Sequence, residues 1–309
     1  MSKVNLNYER FRTELQQSLY CRLPAGIELA IFPVLKNNSL HMDSLVIYQQ
    51  GNQISPNFYL QEYYEEYRAG KCVEELSEEI VLCWENSMNA KWNTELDLSY
   101  ENCREQIIYR LVCAKRNQEL LEEIPYIPFF DLAVTFYCLV SRDEEGIGSI
   151  RISNQLMEKW GVTTRILMEE ASQNTPRMFP ARCEPISQML EQMLFRTEES
   201  VDDRMEEPVS EPYILTNSNG INGAAAWLYP GLLEEKAQYF GCSLYILPSS
   251  IHELLILADD RSIEEEALIA MVRQVNTDCV NAEEFLSDNI YYYDREKKVI
   301  CMISGDSSE

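Results

Sequence analysis

Histidine is almost missing from this chain: His41 and His252 are the only two in 309 residues. Any histidine general base, His-based triad or His-rich metal site must therefore draw on one of them. Positive charge is also scarce, with 26 Lys+Arg against 51 Asp+Glu and a net charge of −25. A field of that sign repels nucleic-acid backbone and anionic membrane surfaces, so direct nucleic-acid or membrane binding is not expected. Long apolar runs are absent: stretches such as "LAVTFYCLV" (132–140) are far too short to span a bilayer. The opening "MSKVNLNYERFRTELQQ" has no apolar signal-peptide core, so a cytoplasmic protein is expected. Cysteine is plentiful, ten in all, but no C-x-x-C pair occurs and the residues are scattered. That spacing suits neither a zinc site nor a small secreted disulfide scaffold. Several, such as Cys83 and Cys138, sit inside apolar patterns. The expectation is reduced, mostly buried cysteines, with no metal and no cofactor.

What is present reads as an ordinary globular core, 46% hydrophobic and 25% charged. "GIELAIFPVLKNN" and "SLHMDSLVIYQQG" predict two strands joined at Asn37-Asn38, with Pro33 marking an edge or bulge. "CVEELSEEIVLCWENS" predicts an amphipathic helix with Val73, Leu76, Ile80 and Trp84 inward and Glu74, Glu75, Glu78 and Glu79 in water. "REQIIYRLVCAKRN" fits helix and strand equally. "FFDLAVTFYCLVS" predicts a strand, with "GSIRISN" as its hairpin partner. Residues 197–212, "TEESVDDRMEEPVSEP", hold seven acids, one base and two prolines, the composition of an exposed, flexible acidic connector. Strands and helices then intermix to the end, and Ser262 with Glu265 spells a capping box. The fold class expected is α+β, mixed sheets packed against helices. The division expected is residues 1–95 and 96–309, with the connector inside the second part.

The stretch that most resembles chemistry is "LPSSIHELLILADD" (247–260). A hydrolytic reading takes Ser250 as nucleophile, His252 as base and Glu253 or Asp259 as orienting acid. If the segment is extended, Ser250 and His252 share a face but stand about 7 Å apart at the backbone. The G-x-S-x-G elbow is absent. Pro248-Ser249-Ser250 is good turn chemistry, and the apolar run behind it suits a buried central strand. The favoured reading is thus a turn entering a strand, with His252 hydrogen-bonded at its mouth. "TNSNGINGAA" (216–225) lacks a phosphate-loop signature, and its two Asn-Gly dipeptides read as turns. His41 and Asp43 share a strand face but mark no third metal ligand. Tyr63, Tyr64 and Tyr67, and Tyr291, Tyr292 and Tyr293, suit half-buried positions better than a binding cluster.

The phrases "SPNFYLQEYYEEYRAGK", "IPYIPFFDLAVTFYCLV", "NQLMEKW", "EEASQNTP", "GAAAWLYPGLL", "LPSSIHELLIL" and "VNTDCVNAEEFLSDNIYYYD" together resemble a domain-of-unknown-function family of anaerobic gut Firmicutes. The resemblance runs over nearly the whole chain. It implies an intracellular bacterial protein of mixed α and β structure and supplies no activity, cofactor or catalytic residue. The functional expectation is a non-enzymatic protein that binds a macromolecular partner, a protein in the first instance. The alternatives are a hydrolase-like enzyme using Ser250 and His252, and an acidic decoy for a DNA-binding protein.

Overall fold

The computed structural model describes residues 7–49, 55–89, 97–143, 146–189, 211–262 and 264–305. It divides into two units: Met1–Lys36 with Leu40–Asp97, and Asn37–Ser39 with Leu98–Glu309. Residues 197–210 of the acidic connector lie outside the described residues.

In the first unit, α1 (Tyr8–Arg22) opens under an Asn7 cap, whose side chain accepts the Arg10 N–H at 3.0 Å. Strands β1 (Ile27–Leu35), β2 (His41–Gln49) and β3 (Asn57–Tyr59) form an antiparallel sheet in that order, so Pro33 sits on an edge strand where its missing N–H is tolerated. Helices α2 (Leu60–Arg68) and α3 (Val73–Asn89) follow. Cys72 and Glu75 cap α3 reciprocally: Glu75 accepts the Cys72 N–H, and Cys72 Sγ accepts the Glu75 N–H. The expected stripe is buried: Leu76, Ile80 and Trp84 close over Phe11, Leu15, Leu19, Leu45 and Ile47.

The second unit holds two sheets. Strands β4 (Ile107–Cys113), β5 (Tyr126–Phe129), β6 (Leu132–Asp143) and β7 (Gly146–Arg151) make one, with β6 paired to all three others. A short helix, α4 (Gln118–Glu123), links β4 to β5, and α5 (Asn154–Trp160) and α6 (Thr164–Met178) follow β7. The outer edge of β4 is covered by α6. Thr175 Oγ1 accepts the Tyr109 N–H at 3.1 Å, and Asn174 Nδ2 donates to the Ile107 carbonyl at 3.1 Å. The run that fitted helix and strand equally is a strand: β6 pairs along all of it, and side chains of a distant helix satisfy its other edge.

The other sheet runs β13-β12-β10-β11-β9-β8, all neighbours antiparallel. Its strands are β8 (Ala181–Pro185), β9 (Tyr213–Asn217), β10 (Leu244–Pro248), β11 (Leu254–Ala258), β12 (Ile290–Asp294) and β13 (Val299–Ile303). Helix α7 (Leu232–Phe240) lies between β9 and β10, and α8 (Glu265–Asp278) between β11 and β12. One core joins both sheets: Tyr109, Val134 and Phe136 meet Leu215, Trp227, Ile246 and Tyr291. With helices against three antiparallel sheets, the fold is α+β, as expected.

Local expectations are resolved or corrected in three places. "GAAAWL", which reads in sequence as either a strand or a lead into a helix, is a 3-10 helix, Gly223–Leu228, with Gly223 to Trp227 buried. Ser262 does not cap α8: its hydroxyl donates to Asp260 Oδ1 at 2.6 Å, and the cap position falls to Glu264. None of the ten cysteines is in a disulfide, but only Cys103, Cys113 and Cys138 are buried. Cys83 lies off the buried stripe of α3 and is exposed.

Candidate functional site

The turn between β10 and β11 holds the residues that most resembled chemistry. Both Ser249 and Ser250 donate their backbone N–H to the Glu253 carbonyl. The Ser250 hydroxyl accepts the backbone N–H of His252 at 3.0 Å, which folds the loop on itself. Ser250 is thus joined to the main chain of His252, not to its ring. The imidazole is engaged elsewhere: Nδ1 accepts the Asn222 N–H at 3.1 Å, and Nε2 lies 3.6 Å from Glu284 Oε1. Glu253 accepts from Ser249 at 3.3 Å, and Asp259 accepts from the Tyr292 phenol at 2.8 Å. Ser250, His252, Glu253 and Asp259 are therefore not drawn into a nucleophile–base–acid relay. They build a turn.

The neighbouring loop, 216–223, is locked to that turn. Thr216 Oγ1 donates to the His252 carbonyl at 2.8 Å, and the Ala224 N–H donates to the Ile251 carbonyl. Gly223 fits between them: a Cβ there would stand 2.1 Å from Thr216 Oγ1 and 2.5 Å from the His252 carbonyl oxygen. Asn222 and Gly220, one residue of each Asn-Gly dipeptide, take positive φ, 53° and 67°, as residues in turns do. The His252 ring is the strut of this double turn.

The other sequence candidates are also committed to structure. The Asp43 carboxylate accepts from Tyr8 at 2.8 Å and pairs with Arg12 at 3.2 Å. Among the described residues no three His, Cys, Asp or Glu side chains converge as metal ligands. Tyr64 stacks on Tyr67 and packs against Phe11, while Tyr291 and Tyr293 are buried in the second unit's core.

A site that sequence reasoning did not single out lies on the two-residue turn between β5 and β6. Phe130 sits there at φ 56°, in the left-handed region that side chains beyond Asn and Gly seldom occupy. It is 44% exposed and Tyr126, on the strand before it, is 40% exposed. Both line an open concavity of about 560 Å³ with Lys115, Leu121, Glu122 and Pro128. The turn's second residue, Asp131, points the other way. Its carboxylate accepts from Tyr291 at 2.5 Å, Ser287 at 2.5 Å and Asn289 at 3.0 Å. Burial first, and Asp131 second, push the Tyr291 phenol far above its ordinary range, so it stays a donor. A second polar anchor lies nearby in sequence. Asn117 Nδ2 donates to Asn38 Oδ1 at 2.9 Å, and Asn117 Oδ1 accepts the Asn38 N–H at 2.8 Å, both within the second unit.

Three antiparallel sheets, a helix-covered edge strand and a carboxylate-anchored aromatic turn define an α+β protein. The chain belongs to the family of unknown function DUF5688, whose model matches residues 8–295. No curated protein matches it. No solved structure matches it either. Among the described residues no helix is long and apolar enough to cross a membrane.

Proposed function

We propose that this is a non-enzymatic cytoplasmic protein that binds another protein at the aromatic rim formed by Tyr126 and Phe130. The observation that carries the reading is Phe130 itself. A left-handed backbone costs an ordinary side chain roughly 1–2 kcal/mol, and here it presents a large apolar ring that is seated against Phe129 and Tyr291 yet still 44% exposed. Burial of aromatic anchors supplies much of the energy of protein interfaces. The partner is one that presents an apolar anchor ringed by basic residues, since the chain's net charge of −25 favours a cationic rim. Ten cysteines with no disulfide among them suit a reducing compartment.

The test uses Phe130→Asn, which keeps a residue tolerant of positive φ while removing the ring. Immobilised wild type and variant are compared for capture from native lysate, with folding checked by circular dichroism. The expected result is a basic partner retained by wild type, eluted by salt and lost with the folded variant. An identical captured set on both proteins would overturn the reading.

A further inference from the structure

The outward face of the four-stranded sheet carries arginines that no described acid neutralises. Arg110 on β4 stands opposite Thr135 of β6, and Arg151 on β7 stands opposite Tyr137 of β6. The Arg110 guanidinium carbon lies over the Tyr137 ring, 4.0 Å from its centroid, and Nη2 donates to Ser149 Oγ at 2.7 Å. Arg151 Nε is buried and has no hydrogen-bond acceptor among the described residues. Neither guanidinium forms an ion pair with a described carboxylate, in a chain carrying 51 Asp+Glu.

Two guanidinium groups cannot shed their charge by losing protons. Withdrawn partly from water, they repel one another, and an unneutralised buried charge is strongly unfavourable. Burial, first of all, lowers the Arg110 guanidinium below its ordinary range; Tyr137 opposes that shift, and Arg151 adds a smaller lowering. Ile108, Tyr137, Leu139, Met178 and Phe179 form one cluster, and Tyr137 within it is the platform that fixes Arg110. A third arginine, Arg142, lies over the Phe179 ring at 5.0 Å and donates to Asn219 Oδ1 at 3.1 Å, again with no described acid as partner. Neutral oxygens and aromatic faces orient Arg110 and Arg142 without discharging them, and the buried Arg151 Nε is left with a donor to spare. Such pre-set guanidinium groups match oxyanions, which accept two parallel hydrogen bonds from each fork.

We infer that Arg110 and Arg151, with the Ser149 hydroxyl, form a binding site for a phosphate or carboxylate oxyanion on the outer face of the four-stranded sheet. The chain's overall field repels anions, so occupancy must come from these local contacts. This site is separate from the Phe130 rim and does not depend on the protein-binding reading.

The probes are inorganic phosphate and succinate, each titrated against the full-length protein at constant ionic strength in chloride. Binding to the folded state alone raises the thermal midpoint with ligand concentration. Excluded anions also raise midpoints generally, so the decisive comparison is between variants. Arg182→Gln removes an arginine of the other sheet, paired with Glu184, and should keep the full ligand-dependent rise. Arg151→Gln should weaken binding at least tenfold, and Arg151→Lys, which keeps charge but loses the fork, should fall between. Calorimetric titration of each folded variant gives the same ranking independently of stability. Phosphate preference over succinate would mark a phosphate ligand, and the reverse a carboxylate. The inference is overturned if neither probe binds wild type, or if Arg151→Gln binds as wild type does.

Discussion

Tyr291 and Asp131 meet across 160 residues of sequence, phenol to carboxylate at 2.5 Å, and the pair fixes the turn that carries Phe130. Tyr291 serves both residues of the turn: its phenol bonds the Asp131 carboxylate, and its ring lies 5.6 Å from that of the partly exposed Phe130. Removing the carboxylate by Asp131→Ala leaves Tyr291, Ser287 and Asn289 without their common acceptor. The expected cost is about 3 kcal/mol, since each buried donor left unpaired costs roughly 1–3 kcal/mol. Chemical denaturation of Asp131→Ala, Tyr291→Phe and the double variant measures it. The cycle should show a coupling of about 1–2 kcal/mol. Additive losses would mean that the two groups touch without depending on each other.

The double turn around His252 gives a second expectation. Gly223→Ala places a methyl group within 2.1 Å of Thr216 Oγ1 and 2.7 Å of the Asn217 nitrogen. Two of the three nearest atoms are backbone, so the clash is not relieved by a rotamer change, and a loss of about 3 kcal/mol follows. His252→Ala removes the acceptor of the Asn222 N–H and should cost roughly 1–2 kcal/mol while leaving a folded protein. Urea melts that place Gly223→Ala within a few tenths of wild type would show that the loops can part freely.

How much of this was legible in the sequence depends on the range of the interaction. The β6–β7 hairpin was readable because its alternation is local, and the α3 stripe because helical spacing is local. The roles of Asp131, Asn117 and Thr175 were not. Each is an ordinary polar residue in its own neighbourhood, and its meaning comes from a partner 66 to 160 residues away. Phe130 was hidden for a different reason: "YIPFFDLAV" gives no Gly or Asn at the turn, so the strand seemed to run through it. Conversely, Ser250 and His252 looked chemical because they are close in sequence, and the structure spends that closeness on a serine-to-backbone turn.

Alkaline pH should unfold the protein, and the sign follows from its tyrosines. Burial raises the phenols of Tyr109, Tyr229 and Tyr291 well above their ordinary value, and that of Tyr63 to about 12. In the unfolded chain these groups release protons near pH 10. Above that pH the folded state holds more protons than the unfolded one, so stability falls as pH rises. Their contribution is complete below about pH 10, and that of Tyr63 is lost as pH climbs toward 12. Tyrosinate absorbance and circular dichroism, followed together, should show a fraction of the 18 tyrosines titrating only as structure is lost. Smooth titration of all of them in a folded protein would contradict this.

The last expectation concerns the acidic connector and what lies on either side of it. Strand β8 ends at Pro185, opposite Tyr213 at the start of β9, and the Ile186 N–H donates to the Pro212 carbonyl at 3.0 Å. The chain therefore leaves and rejoins the same sheet at adjacent points. Residues on both sides also share a core: Ile107, Phe136 and Ala171 come from before the connector, Leu215, Ile246 and Tyr291 from after it. A cut inside 197–210 breaks neither the β8–β9 ladder nor that core. If a protease site is inserted there and cleaved, the two fragments should co-elute on a sizing column and separate only in denaturant. The midpoint of unfolding should become concentration-dependent, since folding is then an association. Two fragments that separate and remain folded would mean that each side has a core of its own, and that the shared one contributes little to holding the second unit together.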